Sequence, residues 1–278
     1  MRFYMVLVAC MVVPFLVLGQ NQKWETWKVN GDSAFNKNDF KEAIQWYTKS
    51  IENSKLKEGE HYQALYMRAA AYYSMGSFSE ALLDINRYIQ NQPNTQQAYL
   101  LRAFVNRELD NPEEQLKDLN RLLAGNPNQT DWLRWKVSVL MDMEKYEEGR
   151  KILFQLKTFQ PNASIDFFIG LSYYFGDQGD SAIIYFDQAI QKEPNYFPPY
   201  FYATSLSLQE EAYGLALDYV NKAIALEPEN LSLYFFKGVA LVEIKELKEG
   251  CRFLSKAFYG GYDEAKDYLV GYCYDTAH

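Results

Sequence analysis

Five prolines set the frame of this chain. Pro93, Pro127, Pro161, Pro194 and Pro228 are separated by 34, 34, 33 and 34 residues, and Asn follows each of the first four. A proline cannot continue a helix, because its ring fixes φ and it lacks an N–H, so each marks a helix end at one fixed phase. About twelve residues before each proline stands a small residue or its substitute: Ala81, Gln115, Gly149, Ala182 and Ala216. Ala43 and Gly250 occupy the same phase further out. Apolar residues recur between these landmarks at three- and four-residue steps, such as Ile85 and Tyr88, Leu119 and Leu122, and Phe186 and Ala189. That is the period of a helix with one buried face. No stretch alternates with the two-residue period of a strand.

Each period therefore reads as two amphipathic helices joined by a short turn. Met75-Gly76-Ser77, Leu109-Asp110-Asn111-Pro112 and Gly176-Asp177-Gln178-Gly179 supply turns of this kind. Ser77 with Glu80, and Asn111-Pro112 with Glu114, are expected to cap helix starts. A single hairpin of this size cannot bury its apolar face; stacked neighbours can.

The spacing and residue types resemble the tetratricopeptide repeat family, whose pattern is W-x2-L-G-x2-Y, then A-x3-F-x2-A, then P. Trp27, Gly31, Ala43, Tyr47 and Ser50 carry the first unit; Gly170, Tyr173, Ala182, Phe186, Ala189 and Pro194 carry the fifth. The units run at about 24–57, 62–95, 96–129, 130–163, 163–196, 197–230 and 231–261. Glu58 to His61 form an insertion between the first two. Gln115 and Gly149 stand where Ala is usual, so the third and fourth hairpins are expected to pack more loosely. The resemblance implies an all-α, right-handed superhelical solenoid of about seven antiparallel helix hairpins. Residues 262–278 read as a C-terminal capping helix and tail, with the helix over Asp263 to Tyr274. Cys251, next to the small-residue site of its helix, and Cys273 on the cap are candidates for a disulfide; two reduced, buried cysteines are the alternative.

The first nineteen residues stand apart. Arg2 precedes an almost unbroken apolar run from Phe3 to Leu18, then Gly19 and polar Gln20-Asn21-Gln22-Lys23. This order reads as an export signal cleaved near Gly19, with a retained membrane anchor as the alternative. Leu7-Val8-Ala9-Cys10 resembles a lipobox, but the apolar run continues for eight residues past Cys10. Export places the chain in the periplasm or outer envelope, and membrane contact is expected only through this segment.

In the resembled family the first helix of each hairpin lines a concave groove at its second, fifth, ninth and twelfth positions. Those positions here are largely apolar or aromatic, and Tyr66, Tyr73, Phe104, Arg134, Phe167, Tyr174, Phe201 and Phe235 are the candidate ligand-binding residues. Lys28, Arg107 and Arg134 are the scattered cations among them. The stretch from Phe167 to Phe235 is the most apolar. A contiguous apolar concavity marks an interaction site unless the rings pack on one another.

A protein or peptide partner follows from that surface. The carboxylate clamp by which some family members grip acidic tails is not matched: Asp32 and Met67 replace its asparagines, and Gln97 and Leu101 replace its Lys and Arg. A formal charge of −8 disfavours nucleic acid. The two histidines, His61 and His278, form no metal motif, and neither HExxH, CxxC nor a Gly-rich phosphate loop occurs. No cofactor, metal or catalytic residue is expected. The sequons at Asn128, Asn162 and Asn230 fall at repeat boundaries, where Asn after the helix-breaking Pro has a structural reason. The sequence supports a non-catalytic scaffold or adaptor holding a peptide or protein segment in an aromatic groove. An outer-membrane assembly factor and a carbohydrate-handling accessory are the alternatives. Sugar sites usually interleave Trp with Asp and Asn, yet Trp24, Trp27, Trp46, Trp132 and Trp135 all lie in the first half, away from the aromatic groove stretch.

Overall fold

A computed structural model describes residues 23–53 and 62–274. The export segment read over residues 1–19, with Cys10, and the insertion Glu58 to His61 lie outside the described residues. Among the described residues the chain is helical, in seven consecutive helix pairs and a terminal segment. The pairs are α1 (Lys23–Asn36) and α2 (Phe40–Asn53), α3 (Tyr62–Ser74) and α4 (Phe78–Asn91), and α5 (Gln96–Glu108) and α6 (Pro112–Gly125). Then come α7 (Thr130–Asp142) and α8 (Tyr146–Phe159), α9 (Ala163–Tyr174) and α10 (Gly179–Lys192), α11 (Phe197–Gln209) and α12 (Tyr213–Leu226), and α13 (Leu231–Glu243) and α14 (Leu247–Tyr259). A short α15 (Ala265–Tyr268) runs into a π-helix (Leu269–Tyr274).

The chain divides into two compact units, Met1–Asn111 and Pro112–His278. Within each, every helix packs on its chain neighbours, so hairpins stack in the manner of an all-α solenoid. The first unit holds α1 to α5; the second begins with α6 and ends at the π-helix.

Local chemistry explains the regularity. In α4 the buried residues Ala81, Ile85, Tyr88 and Ile89 recur on one face while Leu83 and Arg87 point outward. The prolines end helices as expected. The N–H of the residue just before Pro93, Pro161, Pro194 and Pro228 closes the last turn onto Tyr88, Leu156, Ala189 and Ala223, at 2.8 to 3.0 Å. In three repeats the next helix then ties itself to that corner. Tyr99, Tyr200 and Tyr234 each donate a hydroxyl bond to the carbonyl of Pro93, Pro194 and Pro228, at 2.9, 3.0 and 2.7 Å.

The hairpin turns share one backbone device. Asn38, Gly76, Asp110, Glu144, Asp177, Glu211 and Lys245 all have φ between 55° and 77°. The left-handed residue in the Gly176–Gly179 turn is thus Asp177, not either glycine. Ser77 makes no side-chain cap, contrary to the capping box read from the sequence. Its turn is closed by backbone bonds instead, Ser77 N–H to Tyr72 O at 2.9 Å among them. Asn162 and Gln129 do cap, accepting from the N–H of Ile165 at 2.9 Å and of Asp131 at 3.1 Å. Asn162 is a sequon residue, and this bond is its structural role.

Inside the hairpins, small residues on one helix admit large ones from the other. A Cβ at Gly31 would lie 2.6 Å from the Tyr47 ring, at Gly170 2.6 Å from Phe186, and at Gly238 2.7 Å from Leu254. Where the first helix carries Ala69, Val137 or Thr204 instead, the residue sixteen further on is aliphatic rather than aromatic: Ile85, Leu153 or Val220. Gly149 differs. A Cβ there meets nothing closer than 3.7 Å, so the α7–α8 hairpin would admit an Ala at that point in ordinary contact.

Candidate functional site

The inner-helix rings fall into two sets, one in each unit. In the N-terminal unit Tyr66 lies 5.4 Å from Tyr88, and Tyr73 lies between Phe78 at 5.7 Å and Phe104 at 6.3 Å, ring centre to ring centre. Burial raises the Tyr66 and Tyr73 hydroxyls above the usual tyrosine range. Arg107 lies over the Phe104 ring at 5.2 Å and also pairs with Glu108 at 2.7 Å. Lys28 pairs with Asp32 at 2.7 Å, and the other Asp32 oxygen accepts the Tyr47 hydroxyl at 2.8 Å. The cations read from the sequence are therefore already engaged in this unit.

In the C-terminal unit the set is larger and continuous. Tyr202 is its hub, with ring centres 5.7 Å from Phe167, 5.5 Å from Tyr174, 5.5 Å from Phe201 and 6.2 Å from Phe186. Phe201 reaches Phe236 at 5.3 Å, and Phe236 reaches Phe235 at 5.9 Å. Phe235 in turn meets Tyr262 and Tyr268 of the terminal segment, at 5.2 and 5.4 Å. A ring at the fifth position of one inner helix thus stacks on a ring beside the equivalent position of the next. Offset and edge contacts of this kind stabilise aromatic pairs beyond simple burial.

The expected groove residues occupy different depths in this ladder. Phe167 is only 5% exposed and forms its floor, enclosed by Phe168, Phe186, Tyr196 and Tyr202. Tyr174, Phe201 and Phe235 are half-buried and retain an accessible side. The Tyr174 hydroxyl sits 3.2 Å from Ser205 Oγ and accepts from Gln209 Nε2 at 3.2 Å. Beside it Phe175 is 48% exposed, stacked on Tyr146 at 5.9 Å. Arg134 is engaged elsewhere, donating to Gln160 Oε1 at 2.9 Å. Tyr202, Phe236 and Phe175 were not among the candidates read from the sequence. The signal for the first two was the ring immediately after each groove-position ring, in Phe201-Tyr202 and Phe235-Phe236.

Charge is nearly absent here. Helix α11 has no ionisable acid or base, and α9 has only Asp166. Asp166 is fully buried, and its two oxygens are held by Lys157 Nζ at 2.7 Å and by Lys192 Nζ. Lys157 also donates to Gln188 at 2.9 Å and lies 4.8 Å from the Tyr185 ring centre. The two ammonium groups outweigh the one carboxylate, and the cluster ties α9 to both α8 and α10. On α13, Lys237 lies over Phe253 at 4.4 Å, and burial lowers its ammonium below the usual lysine range; Glu243 accepts the Tyr272 hydroxyl.

Cys251 on α14 and Cys273 on the π-helix are joined in a disulfide, with Cα atoms 5.7 Å apart. With Ala265 and Leu269 buried against the Leu254 and Val242 cluster, the bond fastens the terminal segment over the last hairpin. Among the described residues no group of acids, histidines or cysteines is arranged to hold a metal ion. No described helix is long and apolar enough to cross a membrane.

Comparison with known proteins agrees with this geometry. Residues 66–130 match the family described as Tetratricopeptide repeat. No curated protein matches the chain. Among solved structures, a tetratricopeptide repeat protein from Parabacteroides merdae is similar at 17% identity and TM-score 0.58, over 90% of this chain and 98% of that one. The C-terminal part of a TPR repeat-containing protein from Cytophaga hutchinsonii is similar at 15% identity and TM-score 0.66, over 85% and 97%. YrrB, described as a TPR protein with an unusual peptide-binding site, is similar at 16% identity and TM-score 0.51, over 64% and 93%. Residues 66–130 match the tetratricopeptide repeat family, and the helix pairs of the chain share the fold of solved tetratricopeptide repeat proteins.

Proposed function

We propose that this protein is a non-catalytic scaffold, exported to the cell envelope, that holds an apolar peptide segment of another protein along α9, α11 and α13. The observation that carries the reading is the absence of any charged residue from the groove positions of these helices. Ser164, Phe167, Leu171 and Tyr174 hold these positions on the first, Pro198, Phe201, Ser205 and Leu208 on the second, and Ser232, Phe235, Val239 and Val242 on the third; Phe167, Leu171, Val239 and Val242 are buried, and the other eight are partly accessible. A surface with accessible rings, a few hydroxyls and no charge favours aliphatic or aromatic side chains and disfavours acidic tails, which bring an uncompensated desolvation cost. Tyr174, with Ser205 and Gln209, offers the polar group that would fix a backbone amide in register. A structurally similar protein, YrrB, is described as having a peptide-binding site.

Export rests on the apolar run from Phe3 to Leu18. The Cys251–Cys273 bond fits an oxidising compartment, where disulfides persist.

The test is crosslinking in the native envelope to identify the attached protein, followed by affinity measurement with Tyr174→Ala and Phe201→Ala. Each substitution is expected to weaken binding by about tenfold or more, the size of a truncated aromatic anchor. Binding should also change little between low and high salt. Unchanged affinity in both variants, or a steep loss with salt, rules out this surface as the site.

A further inference from the structure

A second recess lies in the N-terminal unit, on a different part of the chain from the aromatic ladder. It measures about 570 Å³ and opens among α1, α3 and the end of α4. Its size is within the usual range for sites that take a small group. Trp24, Tyr62 and Tyr88 supply aromatic walls. Glu25, Gln63 and Gln92 also line it, and none of the three side chains is bonded to another described side chain. Lys28 also borders the recess, but its ammonium is bound to Asp32 at 2.7 Å, so its charge is cancelled locally.

These groups define what the recess can recognise. An anion meets Glu25 with no unspent cation to receive it. A metal ion finds a single carboxylate. A planar cation finds ring faces for its charge, a carboxylate for its N–H donors, and two amide oxygens for the remainder. Within the same unit rings already serve this way: Lys49 lies 4.4 Å over Trp46, and Arg102 5.5 Å over Tyr99. No described cation lies over Tyr62 or Tyr88. The whole chain carries a formal charge of −8, which favours approach of a basic partner.

We infer that this recess is a binding site for a basic side chain, arginine in the first place, presented by a protein or peptide partner. The guanidinium would lie against the Tyr62 and Tyr88 walls with its N–H groups directed to Glu25 and the glutamine carbonyls. The inference does not depend on the apolar surface of α9, α11 and α13, and its test touches none of those residues.

The probe is the tripeptide Ac-Gly-Arg-Gly-NH2, titrated into the exported chain by calorimetry or by amide shifts in NMR. Its neutral isostere, with citrulline for arginine, and a chitotriose are run in parallel. The arginine peptide should bind at least about tenfold more tightly than the citrulline peptide, and Glu25→Gln should remove about tenfold of that affinity. Glu113→Gln, an exposed acid on α6, is the control for general attraction and should change nothing. Equal binding of both peptides overturns the inference, as does saturation by chitotriose alone. So do a loss in Glu113→Gln equal to that in Glu25→Gln, and binding by none of the probes.

Discussion

The inner helices of the two units solve the same packing problem with opposite chemistry. In the N-terminal unit α1, α3 and α5 carry charge, much of it paired, in Lys28–Asp32, Arg68–Asp84 and Arg107–Glu108. In the C-terminal unit α9, α11 and α13 leave their groove positions uncharged, bury the one acid of α9 under two lysines, and join their rings in a ladder. The hairpin is indifferent to the choice, because its stability comes from the small-against-large interlock at Gly31 with Tyr47 and at Gly170 with Phe186. What a repeat presents is therefore set independently of how it folds. One chain can offer an apolar surface in one unit and a polar, aromatic-walled recess in the other.

Three substitutions test whether the units differ as described, from the largest expected effect to the smallest. Tyr202→Ala removes the hub of the ladder and should cost about 3 kcal/mol in the C-terminal unit. Hydrogen exchange should show faster opening of α9 and α11 with unchanged protection in α1 to α4. A loss below about 1 kcal/mol means that the rings are neighbours rather than a unit of stability. Arg68→Met strands Asp84, which is nearly buried and now receives the guanidinium at 2.6 and 2.8 Å. The expected cost is about 2 kcal/mol by urea unfolding, and the double variant Arg68→Met with Asp84→Leu should recover most of it. Failure of the double variant to recover assigns the loss to packing rather than to charge.

The smallest effect concerns alkaline pH. Tyr47 is held above the usual tyrosine range by burial, then by the nearby Asp32 charge and by its bond to that carboxylate. Tyr219 in the other unit is raised in the same way, by burial and its bond to Asp187 at 2.7 Å. Each contributes stability that is complete below the unfolded tyrosine value of about 10 and is lost as pH rises beyond it, since the unfolded chain releases the proton first. Tyr47→Phe should cost about 1 kcal/mol at neutral pH and flatten the alkaline decline of the N-terminal unit alone. An unchanged decline there removes Tyr47 as its source.

The repeat phase was legible because a proline and a small residue act locally. Each restricts its own stretch of backbone or the single helix facing it, so their 34-residue spacing carries directly into the helix ends and hairpin interiors. The ladder was legible only in part. Phe201 and Tyr202 are about 100° apart around α11, and which ring is covered depends on what the neighbouring helix presents. Phe167 could equally have been exposed; it is Tyr202, thirty-five residues away, that helps to bury it. Asp166 was hidden for the same reason. It occupies the slot from which Tyr99, Tyr200 and Tyr234 reach back to a proline carbonyl, and only the placement of Lys157 and Lys192 accounts for an acid there. The turn at Gly176–Gly179 was legible, but not that Asp177 would take the left-handed conformation there, because hairpin geometry fixes that position whatever residue fills it.

The disulfide gives the C-terminal unit a direction. In a stack held by neighbour contacts, disorder enters where a hairpin has a neighbour on one side only. Cys251 and Cys273 are 22 residues apart, so their bond holds the terminal segment to α14 even when its other contacts open. Pulled or heated, α13, α14 and the tethered segment should be the last part of this unit to let go.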